Sequence, residues 1–261
     1  MTLSISVGNS VWWMVIILCC TVTALLYLLL RRKNEEQKRK AILIIGYAIM
    51  VLFYVHRILI FRYDAYVSLY GNGWKRILTD LLPFNLCYLS MVIMIIGAHL
   101  NNKYLIGFCF YISSIGAVLA LVSPVGIFTD TNLLQPAVGI FYFLHILVAA
   151  AYWNTGFLGL VKPGKAMAIT SLFLLNVIGF LIHIVNWLGR SAGIDYMNYF
   201  FTFDPDGSSV LEQFWEWVPV PYLYLLVPSN VFFAGCTVLL TLLYQCGVFL
   251  RKGKVRTFDE I

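Results

Sequence analysis

The chain has 261 residues, of which 61% are hydrophobic and 11% charged, with a net charge of +6 and a mean hydropathy of +0.85. Soluble domains carry about 25% charged residues, so this composition excludes a soluble enzyme, a nucleic-acid binder and a disordered chain. At roughly 20 residues per crossing there is room for about seven transmembrane helices with short loops, and none for a separate soluble domain.

In chain order, span one lies near 11–30 and ends in Arg31-Arg32-Lys33. Span two lies near 41–60, and span three runs from Leu81 to about Leu100. Span four covers Tyr104–Val122 and stops at Ser123-Pro124. Span five starts at Pro136 and fades near Trp153, and span six covers Met167–Leu188. A long loop near 189–220 follows, and span seven runs from Pro221 to just before Arg251-Lys252. Alternating apolar and polar segments are absent, which sets a β-barrel aside. The expected fold is therefore all-α: a polytopic membrane helix bundle of seven transmembrane helices, with residues 1–261 as one domain.

Orientation follows from Lys and Arg. Segment 31–40, Lys103, Lys162, Lys165 and the tail together hold thirteen of them, whereas the opposite loops hold Arg62, Lys75, Arg76 and Arg190. That asymmetry predicts the N-terminus outside and the C-terminus inside, with the positive charge facing anionic lipid. Met1–Ser10 has no Lys or Arg, so span one reads as a retained helix rather than a signal peptide. Six cysteines, at 19, 20, 87, 109, 236 and 246, fall in spans or at their ends, which argues against a disulfide framework. P-loop, GxGxxG, GxSxG and CxxC patterns are missing, and the loop acids lack EF-hand spacing, so neither cofactor nor metal is expected.

Ionisable residues inside a membrane are costly and point to function. At 1.5 Å per residue, Cys87 lies roughly 9 Å below the outer end of span three, His145 about 13 Å down span five, and His183 roughly 8 Å from the outer end of span six. His56 and Arg57 lie near the outer end of span two, while His99 lies near the inner end of span three. Asn176, Gly179, His183, Asn186 and Arg190 share one face of span six. Such a stripe either bonds neighbouring helices or lines a wet cavity. Asp80 is expected to cap span three, with Pro83 in its first turn. Asn85 and Cys87 follow at the positive end of that helix dipole, where a histidine base would make the thiol a useful nucleophile. In the long loop, Asp204-Pro205-Asp206-Gly207 is a turn signal. Ser209 and Glu212 form a capping box opening an interfacial helix with Phe214, Trp215 and Trp217.

Leu81-Leu82-Pro83-Phe84-Asn85-Leu86-Cys87, then His145, Asn198-Tyr199 ahead of Pro205, and Pro219-Val220-Pro221-Tyr222 occur in that order. This pattern resembles the YwaF-type bacterial integral membrane proteins and the eukaryotic transmembrane protein 164 acyltransferases, from span two to span seven. Val220 departs from the bacterial pattern, where tryptophan is usual. The resemblance implies a cysteine-dependent acyltransferase that moves fatty acyl chains between phospholipids without acyl-CoA, with Cys87 and His145 at the catalytic positions. It also implies an architecture similar to that of the small androgen-induced lipid hydrolases, which use threonine and histidine.

The leading expectation is thus a lipid acyltransferase working through a Cys87–His145 dyad and an acyl-thioester. His183 and Asn186 are candidates for orienting the base or holding the oxyanion. Arg190, Arg57 and His56 are candidates for binding a headgroup phosphate, and Asn85 is a further substrate-positioning candidate. A lipid hydrolase on the same site, a small-solute transporter and a non-catalytic membrane protein stay open as alternatives. The expected partner is membrane phospholipid, not nucleic acid, in a bacterial plasma membrane.

Overall fold

The computed structural model describes residues 3–71, 73–123, 128, 131–206 and 209–252. Pro124, Gly207 and the tail beyond 252 lie outside the described residues, as does the Ser209 side chain on which the expected capping box rests. Among the described residues there are eleven α-helices and one two-residue strand pair.

Local sequence sets the helix starts. The Asn9 side chain accepts from the Trp12 amide at 2.8 Å and opens α1, Ser10–Leu30. Asn34 and Gln37 form a reciprocal capping box that opens α2, Glu35–Ile60, six residues before the apolar run. Such caps satisfy amides that have no partner within the helix. After α2 come two short helices, α3 (Asp64–Tyr70) and α4 (Trp74–Leu81), and then α5 (Leu86–His99). Asn102 caps α6 (Lys103–Phe108), which continues through a π-turn at Cys109–Ser113 into α7 (Ser114–Val122). Gln135 accepts from the amides of Ala137 and Val138, and Pro136 takes the first turn of α8 (Pro136–Phe157). The remaining helices are α9 (Lys165–Ser191), α10 (Ser209–Trp217) and α11 (Leu223–Lys252).

Six helices, counting α6 through α7 as one, are long and apolar enough to cross a membrane, and the α4–α5 pair makes a seventh if it is one bent span. Helix α8 is apolar on every side and stands at the centre, packed on α1, α2 and α7. Ala149, Ala150 and Ala151 are fully buried there, and small residues let neighbouring helices approach closely. Helices α9 and α11 pack on each other, and α9 closes against α6. Large apolar side chains such as Ile17, Leu29, Ile44, Phe173 and Val231 face outward, as lipid-facing positions do.

Hydrogen bonds sort the loops into two ends. At one end, β1 (Ser4–Ile5) pairs antiparallel with β2 (Thr131–Asn132). At that same end, the Trp12 indole donates to the Val122 carbonyl oxygen at 3.1 Å. At the other end, Lys38 donates to the Leu158 carbonyl oxygen at 3.0 Å. Residues 3–5 and 131–133 therefore lie together with the end of α7, opposite the α2 start and the α8–α9 loop.

Candidate functional site in a broken span

Span three is not the continuous helix the sequence suggests. Helix α5 has 14 residues, about 21 Å at 1.5 Å per residue, which is too short for a core of roughly 30 Å. The chain breaks at Leu82–Asn85, and α4 meets α5 at 44°. Pro83 causes the break: Leu82 before it is extended (φ −77°, ψ 129°), the conformation that proline imposes on its predecessor. Asp80 consequently does not cap α5, and Pro83 does not sit in its first turn. Asp80 stays in α4, bound by Arg76 at 2.9 Å and by the Tyr66 hydroxyl. Asn85 takes the N-cap position without a side-chain cap bond.

At the break lies a cavity of about 470 Å³ lined by residues of α2, α3, α4, α5, α7, α8, α9 and α11 and by the 196–202 segment. Cys87, His145, His56, Arg57 and Asn85 all line it. Its size falls in the usual range for small-molecule sites. Cys87 is the second residue of α5, so its amide belongs to the first turn, where no intrahelical acceptor exists. Ser90 donates to the Cys87 carbonyl oxygen at 2.7 Å and fixes that turn. Gly116 of α7 leaves the space beside the thiol: a Cβ there would lie 3.1 Å from Leu86 Cδ2 and 3.9 Å from Cys87 Sγ.

His145 is 3% exposed. Its Nδ1 lies 2.7 Å from the Phe141 carbonyl oxygen. A carbonyl oxygen only accepts, so Nδ1 carries the hydrogen and Nε2 of the neutral ring is the lone-pair nitrogen. Phe141 and Tyr88 hold the ring at centroid distances of 4.3 and 6.2 Å. His56 contacts the same Phe141 at 6.1 Å. It is 1% exposed, and neither ring nitrogen has a hydrogen-bond partner among the described residues. Arg57, buried beside it, lies over the rings of Phe53 (5.2 Å) and Tyr88 (4.9 Å).

The remaining sequence candidates gather elsewhere. His183 stacks between Phe203 (4.9 Å) and Tyr222 (5.1 Å) and does not line the cavity. Asn186 is fully buried. Its amide donates to the Tyr199 carbonyl oxygen and to Thr202 Oγ1, each at 2.8 Å, and its oxygen accepts from the Tyr199 amide at 3.1 Å. Arg190 binds the Met197 carbonyl oxygen at 2.8 Å and Asp204 at 3.1 Å, with Phe203 beneath it. These three residues clamp the 196–204 segment to α9. Lower on the same stripe, Asn176 pairs with Asn230 of α11 through two amide bonds of 2.7 and 2.8 Å. The sequence stripe therefore divides: Asn176 and Gly179 line the cavity, Asn176 also bonds across to α11, and His183, Asn186 and Arg190 clamp the loop.

Sequence reasoning missed the polar vestibule at the mouth, a space of about 270 Å³ that shares Tyr70, Arg76, Tyr196, Asn198 and Asp206 with the cavity. Arg76 organises it, lying over Tyr66, Tyr70 and Tyr196 while paired with Asp80. The i,i+4 spacing of Arg76 and Asp80 was the available signal. Partial enclosure, and then the nearby Asp204, raise the Asp206 carboxyl above the ordinary carboxylate range, while Arg76 opposes the rise. One side of Asp206 stays open.

Fold and site together define a polytopic helical membrane protein with a buried, cysteine- and histidine-lined cavity at a broken span. The chain belongs to the TMEM164 family, whose family model matches residues 5–244. Comparison with curated proteins and with solved structures gives no match.

Proposed function

We propose that this protein is a membrane-embedded lipid acyltransferase that moves a fatty acyl chain between phospholipids through Cys87 and His145. The observation that carries the reading is the His145 tautomer. Phe141 takes the Nδ1 hydrogen, which leaves a lone-pair nitrogen on a ring that shares one cavity with the thiol. Family membership supports the same reading.

In the proposed reaction, Nε2 of His145 removes the Cys87 thiol proton as Sγ attacks the ester carbonyl carbon of a phospholipid. The carbon–sulfur bond forms and the carbonyl becomes an oxyanion. The amide of Cys87, at the N-terminal end of α5, is the proposed donor to the developing oxyanion. The oxyanion collapses, the carbon–oxygen ester bond breaks, and His145 returns its proton to the departing lysolipid hydroxyl. The acyl-thioester on Cys87 is then attacked by the hydroxyl of a second lysolipid. His145 takes that proton and passes it to the released sulfur. Water in place of the acceptor gives hydrolysis, and the polar vestibule supports water at the mouth.

The proposed setting is the plasma membrane of a bacterial cell, with the N-terminus and the site end outside, phospholipid as partner, and no nucleic acid. The test is lipid mass spectrometry on purified protein given a labelled diacyl phospholipid and a lysolipid acceptor without acyl-CoA. Wild type should transfer label, whereas Cys87→Ala and His145→Gln should not. Wild type should also show an acyl adduct on Cys87 that hydroxylamine removes. Equal lipid products from wild type and Cys87→Ala would overturn the reading.

A further inference from the structure

The cavity at the broken span has two unlike sides. Toward α2, both ring nitrogens of His56 and Nε of Arg57 are buried without a hydrogen-bond partner among the described residues. Toward α9 and α11, the polar side chains are bonded within the protein. Asn176 and Asn230 exchange two amide bonds of 2.7 and 2.8 Å. The Tyr222 hydroxyl donates to the Asn176 carbonyl oxygen, and Ser229 donates to the Leu226 carbonyl oxygen, each at 3.4 Å. The rest of this side is Leu175, Gly179, Leu225, Leu226 and Phe233, with Leu119 of α7. A wall whose polar groups are already paired suits hydrocarbon, because no buried donor or acceptor is left wanting.

This arm of the cavity has two ends. It starts beside the thiol: Gly116 of α7 lines the cavity, and a Cβ added there would lie 3.9 Å from Cys87 Sγ. On α11, Leu225, Leu226, Ser229 and Phe233 share one helix face and descend about 12 Å. The same face continues with Cys236, Thr237 and Leu240, none of which lines the cavity. Thr237 is buried, and Cys236 and Leu240 pack against the core. On α9 the last lining residue is Leu175. One turn further in, Ser171 is buried and Leu172 packs against the core. Leu175 and Phe233, members of one core cluster, therefore close the arm.

We infer that the α9–α11 arm is the acyl-chain site, and that Phe233, together with Leu175, sets the longest chain the protein accepts. The inference rests on the proposed acyl-transfer reading for the identity of its ligand. An ester carbonyl at Cys87 sends its chain past Gly116 into the arm, and the methyl end of the chain meets Phe233. A chain in the bilayer is already among hydrocarbon, so discrimination comes from fit rather than from burial. Protein interiors are close-packed, and forcing extra methylenes against a packed floor is unfavourable. Phe233 and Leu175 are specificity-determining residues and take no part in proton transfer.

The test uses the full-length protein carrying Cys87→Ala, exchanged into an amphipathic polymer so that no detergent tail competes. Native mass spectrometry measures retention of lysophosphatidylcholines whose saturated chains run from twelve to twenty-two carbons, with lysophosphatidylglycerols of the same lengths in parallel. A lysolipid carries one chain, so length is read for a single occupant. Retention should climb to a limiting length and fall at least fivefold beyond it, at the same length for both headgroups. Phe233→Ala should move the limit to longer chains, because a large-to-small change leaves space behind. Phe233→Trp and Leu175→Phe should move it to shorter ones. Phe232→Ala, at the neighbouring residue that faces outward, should leave it in place.

A purely structural role for Phe233 makes a different forecast: lower retention at every length and a lower melting temperature, with the limit unmoved. Phe233→Leu, a smaller change, keeps the test decisive if Phe233→Ala does not fold. If wild type shows no limiting length, or if Phe233→Leu, Phe233→Ala and Phe233→Trp all keep the wild-type limit, the inference fails. If the limit moves with Phe233 while wild type transfers no acyl chain, the acyl-transfer reading fails and the chain site stands. If wild type transfers acyl chains with a length profile that these variants leave untouched, the reading stands and the inference fails.

Discussion

Asn186 holds the 196–202 wall of the cavity, and its removal has a magnitude that follows from its bonds. Asn186→Ala breaks three hydrogen bonds at 2.8, 2.8 and 3.1 Å. It also strands the buried Tyr199 amide, whose acceptor is the Asn186 oxygen. At about 1 kcal/mol net for each bond, with a surcharge for an orphaned buried donor, the loss is about 3–4 kcal/mol. The Tyr199 carbonyl keeps a weaker bond from the Thr202 amide at 3.4 Å, so the damage concentrates in the 196–202 segment. Two assays read it. Melting of the detergent-solubilised protein should fall by several degrees. Hydrogen exchange resolved by peptide should rise in 196–202 and stay unchanged in α8. Because Met197, Tyr199 and Thr202 line the cavity, maleimide labelling of Cys87, followed by peptide mass, should speed up as well. Asn186→Asp keeps an acceptor for the Tyr199 amide but turns a second oxygen toward the Tyr199 carbonyl, so it should not rescue. If Asn186→Ala melts with wild type and exchange in 196–202 does not move, the clamp does not hold the wall.

The centre of the bundle should be intolerant of added volume. At Gly156 a Cβ would lie 2.4 Å from the ring of Phe110, itself fully buried, so Gly156→Ala should cost about 1–3 kcal/mol by overpacking, seen as a lower melting temperature; an unchanged melt would show that the α8–π-turn contact is looser than its geometry. Gly116→Ala asks Leu86 to give by a few tenths of an ångström and narrows the space beside Cys87. It should leave melting nearly unchanged while slowing Cys87 labelling, and labelling at the wild-type rate would place the route to the thiol elsewhere. Asp206 supplies a pH signature. Its carboxyl is raised in the folded state, so ionisation disfavours folding: the penalty is absent below the ordinary carboxylate value of about 4 and grows as pH climbs through the raised value. Asp206→Asn should therefore gain melting temperature on wild type as pH rises from 4 toward 7, by a small amount because the group is partly open to water. A difference that is flat in pH, or of opposite sign, would contradict the shift.

The spans were legible because twenty-residue apolar runs leave few alternatives in a bilayer. Six helices lie where the runs place them, and α2 and α8 extend past theirs because Asn34 and Asn154 bond beyond the apolar stretch. The broken third span was less legible. Pro83 reads equally well as a first-turn residue or as a break, and only tertiary bonds decide. Asp80 binds Arg76 and Tyr66 within the α3–α4 corner instead of capping α5. The depth of Cys87, His145, His56 and Arg57 could be counted from span ends, and all four line one cavity. The fate of His183, Asn186 and Arg190 could not. A polar stripe on a membrane helix must face protein or water, but periodicity is silent on which loop folds back to meet it. Asn198 stood out in the sequence only as part of an ordered pattern, and its work was not legible there: its side chain bonds Asp204 and the Phe203 amide and so fixes the turn.

The break in span three and the clamp on α9 form one mechanical unit. The Tyr199 hydroxyl bonds the Thr79 carbonyl oxygen in the last turn of α4, and Lys75 at the start of α4 reaches the Gly193 carbonyl oxygen at 3.4 Å. Helix α4 is thus held by the same segment that Asn186 and Arg190 fix to α9. A continuous third helix would bring Asp80, Arg76 and Pro83 into the hydrocarbon and fill the space that Leu86, Cys87 and Gly116 now leave open. Breaking the helix instead keeps the charged pair in α4, where Tyr66 and Tyr70 shelter it, and brings Asn85, Leu86 and Cys87 at the start of α5 to the cavity. The backbone polar groups freed by the break have to be answered by protein, and the 196–204 segment answers them at Thr79. The long loop is therefore explained as the structural consequence of a broken span, and the cavity with its thiol, imidazole and unpaired guanidinium exists because that loop is clamped in place.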